Sequence, residues 1–160
     1  MGLTALQQTR GRMDSAARGP EPEIEEMMRW ISSTLSELNI GLLIYHLEDT
    51  ADSSSLRLLY ANDAASQYTG ANLSARVGKR ILEAFPPLAD SHLPGLYADV
   101  VREGRSREAG VSEFAGDNEV ERGHYAVKAF PMPRECVGVV FENVTLRKRL
   151  EEMVKATMLR

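Results

Sequence analysis

The chain has 160 residues, 43% of them hydrophobic, which is enough for one domain with a buried core. A formal net charge of -4 argues against direct nucleic-acid binding, which normally needs a basic balance, and no apolar run is long enough to span a membrane. The single cysteine, Cys136, cannot close an internal disulfide, which fits a reducing, cytoplasmic setting.

Residues 1–20 carry Gly, Gln, Ser and Arg without apolar periodicity and read as a disordered leader. They lack the apolar core of a secretory signal, and Arg10, Arg12 and Arg18 against Asp14 leave an organelle-targeting reading open. Over 21–38 the pattern changes. Ile24, Met27, Ile31, Leu35 and Leu38 recur at helical spacing and line one face of an amphipathic helix. Glu21, Glu23, Glu25 and Glu26 suit its positive end, and Pro22 suits an early helical position. The seam fits a helix–helix contact between chains as well as docking on a sheet.

Ile40 to Leu47 is almost continuously apolar, as a strand covered on both faces would be. A polar turn over Asp49 to Ser55 returns the chain into Leu56 to Ala61, giving a hairpin with a long loop. Asn62 is placed to cap a short helix over Asp63 to Tyr68, and Gly70 to end it in the left-handed conformation. A helical turn from Asn72 to Val77 breaks at Gly78, and Ile81, Leu82 and Phe85 precede Pro86-Pro87. A longer helix from Pro94 to Glu103 turns Leu96, Val100 and Val101 inward and closes at Gly104. Three strands follow, Ser106 to Phe114, Gly123 to Phe130 and Cys136 to Asn143, with turns at Ala115 to Asn118 and Pro131 to Arg134. In the middle strand His124, Ala126, Lys128 and Phe130 alternate with Tyr125, Val127 and Ala129. Thr145 then opens a final helix as its cap, and Leu146, Leu150 and Met153 form a short coiled-coil seam that is still running at Arg160.

This order of elements resembles the PAS sensor family over residues 35–150. Tyr60-Ala61-Asn62-Asp63-Ala64-Ala65 is similar to its strand-to-helix junction, and Tyr68-Thr69-Gly70 to the end of that helix. Gly78 to Pro86 resembles the segment leading to the pocket-lining helix, and Leu96 to Gly104 the connecting helix with its glycine. Asn143-Val144-Thr145 stands where the family usually has Asp-Ile-Thr before its exit helix. The Asn departs from that pattern: it keeps hydrogen-bonding capacity but loses a charge that makes such bonds about twice as strong.

The resemblance implies an α+β fold, a five-stranded antiparallel sheet flanked by short helices around a cavity. It divides the chain into a leader (1–20), a dimerisation helix (21–38), a PAS core (39–143) and a signalling or coiled-coil helix (144–160). It further implies a non-enzymatic sensor that pairs as a homodimer. Such a sensor takes a small-molecule ligand or partner signal and drives an effector, such as a histidine kinase in a two-component system. The expected ligand-binding residues are Tyr60, Leu82, Phe85, Leu96, Val100, Val127 and Val139. Asn143 and Thr145 are the expected relay, and Ile24, Met27, Ile31, Leu35, Leu146, Leu150 and Met153 the expected dimer seams. A pure pairing module without ligand is the alternative, with a haem-binding redox or gas sensor as a further one.

No resident cofactor is expected. His46, His92 and His124 are scattered and form no metal-ligand cluster. His92 lies near the position from which some family members bind haem, displaced by a residue, and one residue turns a helical side chain by roughly 100°. Flavin photochemistry would need a cysteine in the pocket helix, where Lys79-Arg80-Ile81-Leu82-Glu83 has none, and Cys136 reads as a small buried hydrophobe. Ser53-Ser54-Ser55 has no base nearby for nucleophilic catalysis. Tyr45, Tyr60, Tyr97 and Tyr125 could offer hydroxyls to a ligand or to the fold itself, and Lys79 and Arg80 read as a solvated turn.

Overall fold

The computed structural model describes residues 20–158, so the leader expected over 1–20 lies essentially outside the described residues. The chain divides into two units, Met1–Thr34 and Leu35–Arg160. Helix α1 (Pro20–Glu37) accounts for the described part of the first unit. Ile24 falls within this helix, Met27 and Ile31 are exposed, and Leu35 is half-buried.

The second unit is built on strands β1 (Gly41–Leu47), β2 (Leu56–Ala61), β3 (Arg107–Phe114), β4 (Gly123–Met132) and β5 (Cys136–Asn143), in the antiparallel order β2-β1-β5-β4-β3. The helices between β2 and β3 are α2 (Asp63–Thr69), α3 (Ile81–Ala84) and α4 (Leu93–Glu103), joined by short turns at Leu73–Arg76 and Pro86–Asp90. The exit helix α5 (Thr145–Met158) follows β5.

Period-two patterning sets the faces of the sheet. Leu43, Tyr45 and Leu47 of β1, Val137, Val139 and Phe141 of β5, and Tyr125, Val127 and Ala129 of β4 are buried in one core. His124, Ala126, Lys128 and Phe130 take the opposite face of β4 and are half-buried or exposed. Leu42 and Ile44 are also buried, so β1 is covered on both faces, as its unbroken apolar run requires.

Local chemistry accounts for the first junction. Asn62 caps α2, its Oδ1 accepting from Ala65 N–H at 2.9 Å, and Gly70 ends the helix at φ 73°, where a side chain would be strained. Asn62 reaches further than a cap. The same Oδ1 accepts from Leu42 N–H at 2.9 Å, and Nδ2 donates to Ile40 O at 3.0 Å, so one buried amide fastens α2 to the start of β1.

The last hairpin departs from the sequence reading. β4 continues through Pro131 and Met132, which pair with Val137 and Cys136. The ladder with β3 has already ended at Ala129, so Pro131 forfeits no bond to that neighbour. The turn tightens instead at Arg134 and Glu135, with φ of 61° and 58°, left-handed values that cost L side chains about 1 kcal/mol or more. Glu135→Gly is therefore expected to stabilise the protein by about 0.5 kcal/mol once the extra chain entropy of glycine is subtracted, as read by urea denaturation.

Helix α4 also differs in phase. Leu93, Pro94, Tyr97, Ala98 and Val100 are buried, whereas Leu96 and Val101 are only half-buried. The helix begins one residue earlier than Pro94, and its inner stripe runs through Leu93, Tyr97 and Val100 at helical spacing.

Candidate ligand cavity and exit-helix joint

A cavity of about 380 Å³ lies between the inner face of the sheet and the segment carrying the Pro86–Asp90 turn and α4. Leu43 and Tyr45 of β1, Val139 and Phe141 of β5, and Tyr125 and Val127 of β4 form its floor. Phe85, Leu88, Leu93 and Tyr97 close it from the helical side, and Val111 and Phe114 of β3 wall one end. Polar groups gather at Asp90, Ser91, His92, Ser112 and Glu113.

Among the seven expected ligand-binding residues, Phe85, Val127 and Val139 line this space, while Tyr60, Leu82, Leu96 and Val100 do not. Each displacement has a local reason. The register between β1 and β2 slips between Ile44 and Tyr45, so Tyr60 pairs with Ile44 of the outer face rather than continuing the inward row of Leu58. Leu82 is half-buried beside the fully buried Ile81, which takes the inward position of α3. Leu96 is turned off the inner stripe by the phase of α4, and Val100 packs fully into the core beyond the cavity lining. Tyr97, not Leu96, is the residue of this turn that lines the cavity. Its ring stacks on Tyr45 with centroids 5.8 Å apart and 26° between planes. The Tyr125 ring meets Phe141 edge-on at 5.9 Å and Phe114 at 6.3 Å.

The tyrosine hydroxyls differ in their satisfaction. Tyr125 donates to Glu121 O at 2.9 Å, and burial with the nearby Glu121 carboxylate pushes its phenol up to about 12. Tyr45 is fully buried, and its hydroxyl finds no hydrogen-bond partner among the described residues. Burial first, and Tyr97 second, hold the Tyr45 phenol well above its ordinary value, so it remains a neutral O–H donor.

Arg76, which the sequence reading did not single out, fixes the loop beyond β3. Only 9% exposed, it donates to Asp117 at 2.8 Å and 3.3 Å and to Glu119 at 3.2 Å, and its guanidinium lies 5.3 Å from the centroid of the Phe85 ring. The Arg76 hydrogen bond, helped by the Val120 and Glu119 backbone N–H groups, lowers the Asp117 carboxyl to about 2. Glu121 N–H donates to Thr69 O at 2.8 Å, a second tie from this loop to the end of α2. Ala115 and Val120 of the loop line the cavity, so both ties set its shape.

The expected relay residues meet at the start of α5. Asn143 Oδ1 accepts from Thr145 N–H at 3.0 Å and from the Thr145 hydroxyl at 2.6 Å. Thr145 is thus not the cap that the sequence reading made it. Val144 holds the N-cap position, its carbonyl accepting from Lys148 N–H at 2.8 Å, and Asn143 satisfies the free N–H of Thr145. The Thr145 hydroxyl instead faces β4 and accepts from His124 N–H at 2.9 Å, while Val144 N–H donates to His124 O at 2.8 Å. A Cβ on Gly123 would lie 2.6 Å from Thr145 Oγ1, so glycine is what admits the helix this close. Thr145→Ala leaves His124 N–H without its partner and is expected to cost about 1 kcal/mol in a thermal or urea melt, with Thr145→Ser retaining most of it. Beyond this joint no residue of α5 is buried, and Leu146, Leu150 and Met153 all stand exposed.

His92 immediately precedes α4 and is exposed at the cavity rim. Cys136 lies on the outer face of β5, half-buried rather than buried, with Sγ 3.8 Å from His46 Nδ1; burial pushes its thiol up. No cysteine is therefore among the described residues lining the cavity. Arg80 pairs with Glu48 at 3.2 Å, away from the cavity. Among the described residues no group of three His, Cys, Asp or Glu side chains is placed to hold a metal, and no helix is long and apolar enough to cross a membrane.

No protein-family model and no curated protein matches the chain. Solved structures do. An RNA-binding Light-Oxygen-Voltage receptor superposes with a TM-score of 0.60 at 11% identity, over 89% of this chain and 39% of the receptor. The chain therefore spans well under half the length of that receptor. A domain of a sensory box sensor histidine kinase/response regulator from Geobacter sulfurreducens gives 0.51 at 12% identity, over 72% of this chain and 96% of that domain. The PAS domain of nitrogen regulation protein NR(II) from Vibrio parahaemolyticus is 19% identical over 70% of this chain and 95% of its own, at a TM-score of 0.48 too low to carry weight. At these identities the likeness is one of fold.

Proposed function

We propose that this chain, which has the PAS fold, is a sensor module that relays occupancy of its cavity to whatever follows its exit helix. The observation that carries this reading is the sharing of two strands. Tyr125 and Phe141 form cavity floor, Tyr125 pairs directly with Asn143, and its neighbour His124 holds Val144 and Thr145. A molecule that fills the cavity differently in two arrangements of Tyr125 and Phe141 therefore acts within a residue or two of the joint. Unequal binding to those arrangements shifts their populations, and a coupling of about 1–3 kcal/mol makes a usable switch.

The exposed stripe Leu146, Leu150 and Met153, together with Met27 and Ile31 of α1, supports pairing of two chains. The output in this reading is an effector or partner protein such as a histidine kinase, in the cytoplasm, and the module itself performs no chemistry. A thermal-shift screen of small molecules, read beside sedimentation equilibrium, tests the proposal. A specific binder that raises the Tm supports it. A concentration-dependent dimer that answers to no compound favours the ligand-free pairing module instead.

A further inference from the structure

The cavity carries a chemical signature of its own. Tyr45 is completely buried in its floor with a hydroxyl that has no partner among the described residues. A buried donor left unpaired is unfavourable, and an acceptor brought to it recovers that loss. The surrounding walls are aromatic, with Tyr45 stacked on Tyr97 and Tyr125 set edge-on to Phe141. The charge at the lining is negative: Asp90 and Glu113 contribute carboxylates, neither lysine nor arginine is among the described lining residues, and His92 at the rim is their one basic side chain. Two guanidinium groups touch lining side chains, and both are engaged: Arg122 pairs with Glu113 at 3.2 Å, and Arg76, over the Phe85 ring, pairs with Asp117 and Glu119.

We propose that the cavity selects an uncharged, flat, largely apolar molecule of one or two rings carrying a hydrogen-bond acceptor, which the Tyr45 hydroxyl reads. The proposal rests on the reading of this cavity as a ligand site and adds its selectivity. An acceptor such as a ketone oxygen takes the Tyr45 proton in a hydrogen bond, and the rings pack between the aromatic walls. A carboxylate or phosphate of the same shape loses its hydration, meets the Asp90 carboxylate and finds the guanidinium groups of Arg122 and Arg76 already paired with carboxylates, so it is rejected.

Isothermal titration with three matched probes tests this: methyl β-naphthyl ketone, β-ethylnaphthalene and β-naphthoate, each against the unaltered protein and Tyr45→Phe. The variant keeps the ring and removes only the orphaned hydroxyl, so its Tm is expected to stay level or rise. The ketone is expected to bind about fivefold to tenfold tighter than the hydrocarbon, with the carboxylate weakest. In Tyr45→Phe the ketone should lose that advantage while the hydrocarbon binds as before. A carboxylate that binds as tightly as the ketone, or a ketone advantage that survives in Tyr45→Phe, overturns the proposal. Equal binding of all three overturns the selectivity and leaves the ligand site standing. Binding of none overturns both.

Discussion

Asn62→Ala is expected to lower the unfolding free energy by about 3 kcal/mol, a large fraction of the stability of a domain this size. Only 2% of the residue is exposed, and its amide serves three backbone groups: the N–H of Ala65, the N–H of Leu42 and the carbonyl of Ile40. A helix cap alone is worth about 1 kcal/mol. The rest comes from stranding Leu42 N–H and Ile40 O at the start of β1. Urea denaturation separates the two accounts, since a loss near the cap value would mean that the ties to β1 contribute nothing.

Arg76→Ala is expected to cost a similar amount, about 3 kcal/mol, because it leaves a mostly buried carboxylate without its guanidinium. It also removes the cation from the face of Phe85. The pair has a pH signature. Asp117 is held at about 2, below its usual 3.8, so its contribution is fully present above that usual value and is lost as pH falls toward about 2. The sign is that of a carboxylate stabilised in the folded state. The amount is on the order of 2 kcal/mol for a group this little exposed. In Arg76→Ala the acid limb of the stability profile should flatten, leaving only what the backbone N–H groups of Glu119 and Val120 hold. A variant whose melting curve shows the same acid dependence as the parent would remove Arg76 as its cause.

The elements whose order was readable in the sequence are those signalled by nearby residues. Asn62 and Gly70 bracket α2 because cap chemistry acts over three or four residues, and the alternation of β4 fixes its faces without reference to the rest of the fold. The cavity was half legible. Val127 and Val139 lie on strands whose inward faces follow from period alone, whereas Tyr60 was misplaced by a bulge and Leu96 because the inner stripe of α4 runs through Leu93, Tyr97 and Val100 instead. Neither shift leaves a mark in composition. Arg76 and Tyr45 are harder still. The partners of Arg76 are Asp117 and Glu119 across the fold, and the hydroxyl of Tyr45 is conspicuous only because long-range packing leaves it nothing to bond. The exit joint was found by its residues but not by its wiring, since Thr145 reads as a cap until β4 is seen to supply its partner.

Coupling between the cavity and the exit helix is the central claim, and backbone hydrogen exchange across residues 143–158 tests it most directly. Val127→Phe places a ring in the cavity permanently and needs no ligand. With the strands shared as described, exchange at the amides of Thr145 and Lys148, which bond to Asn143 and Val144 at the joint, should change several-fold in that variant. Altered protection confined to β4 and β5, with the first turn of α5 exchanging as in the parent, would contradict the account.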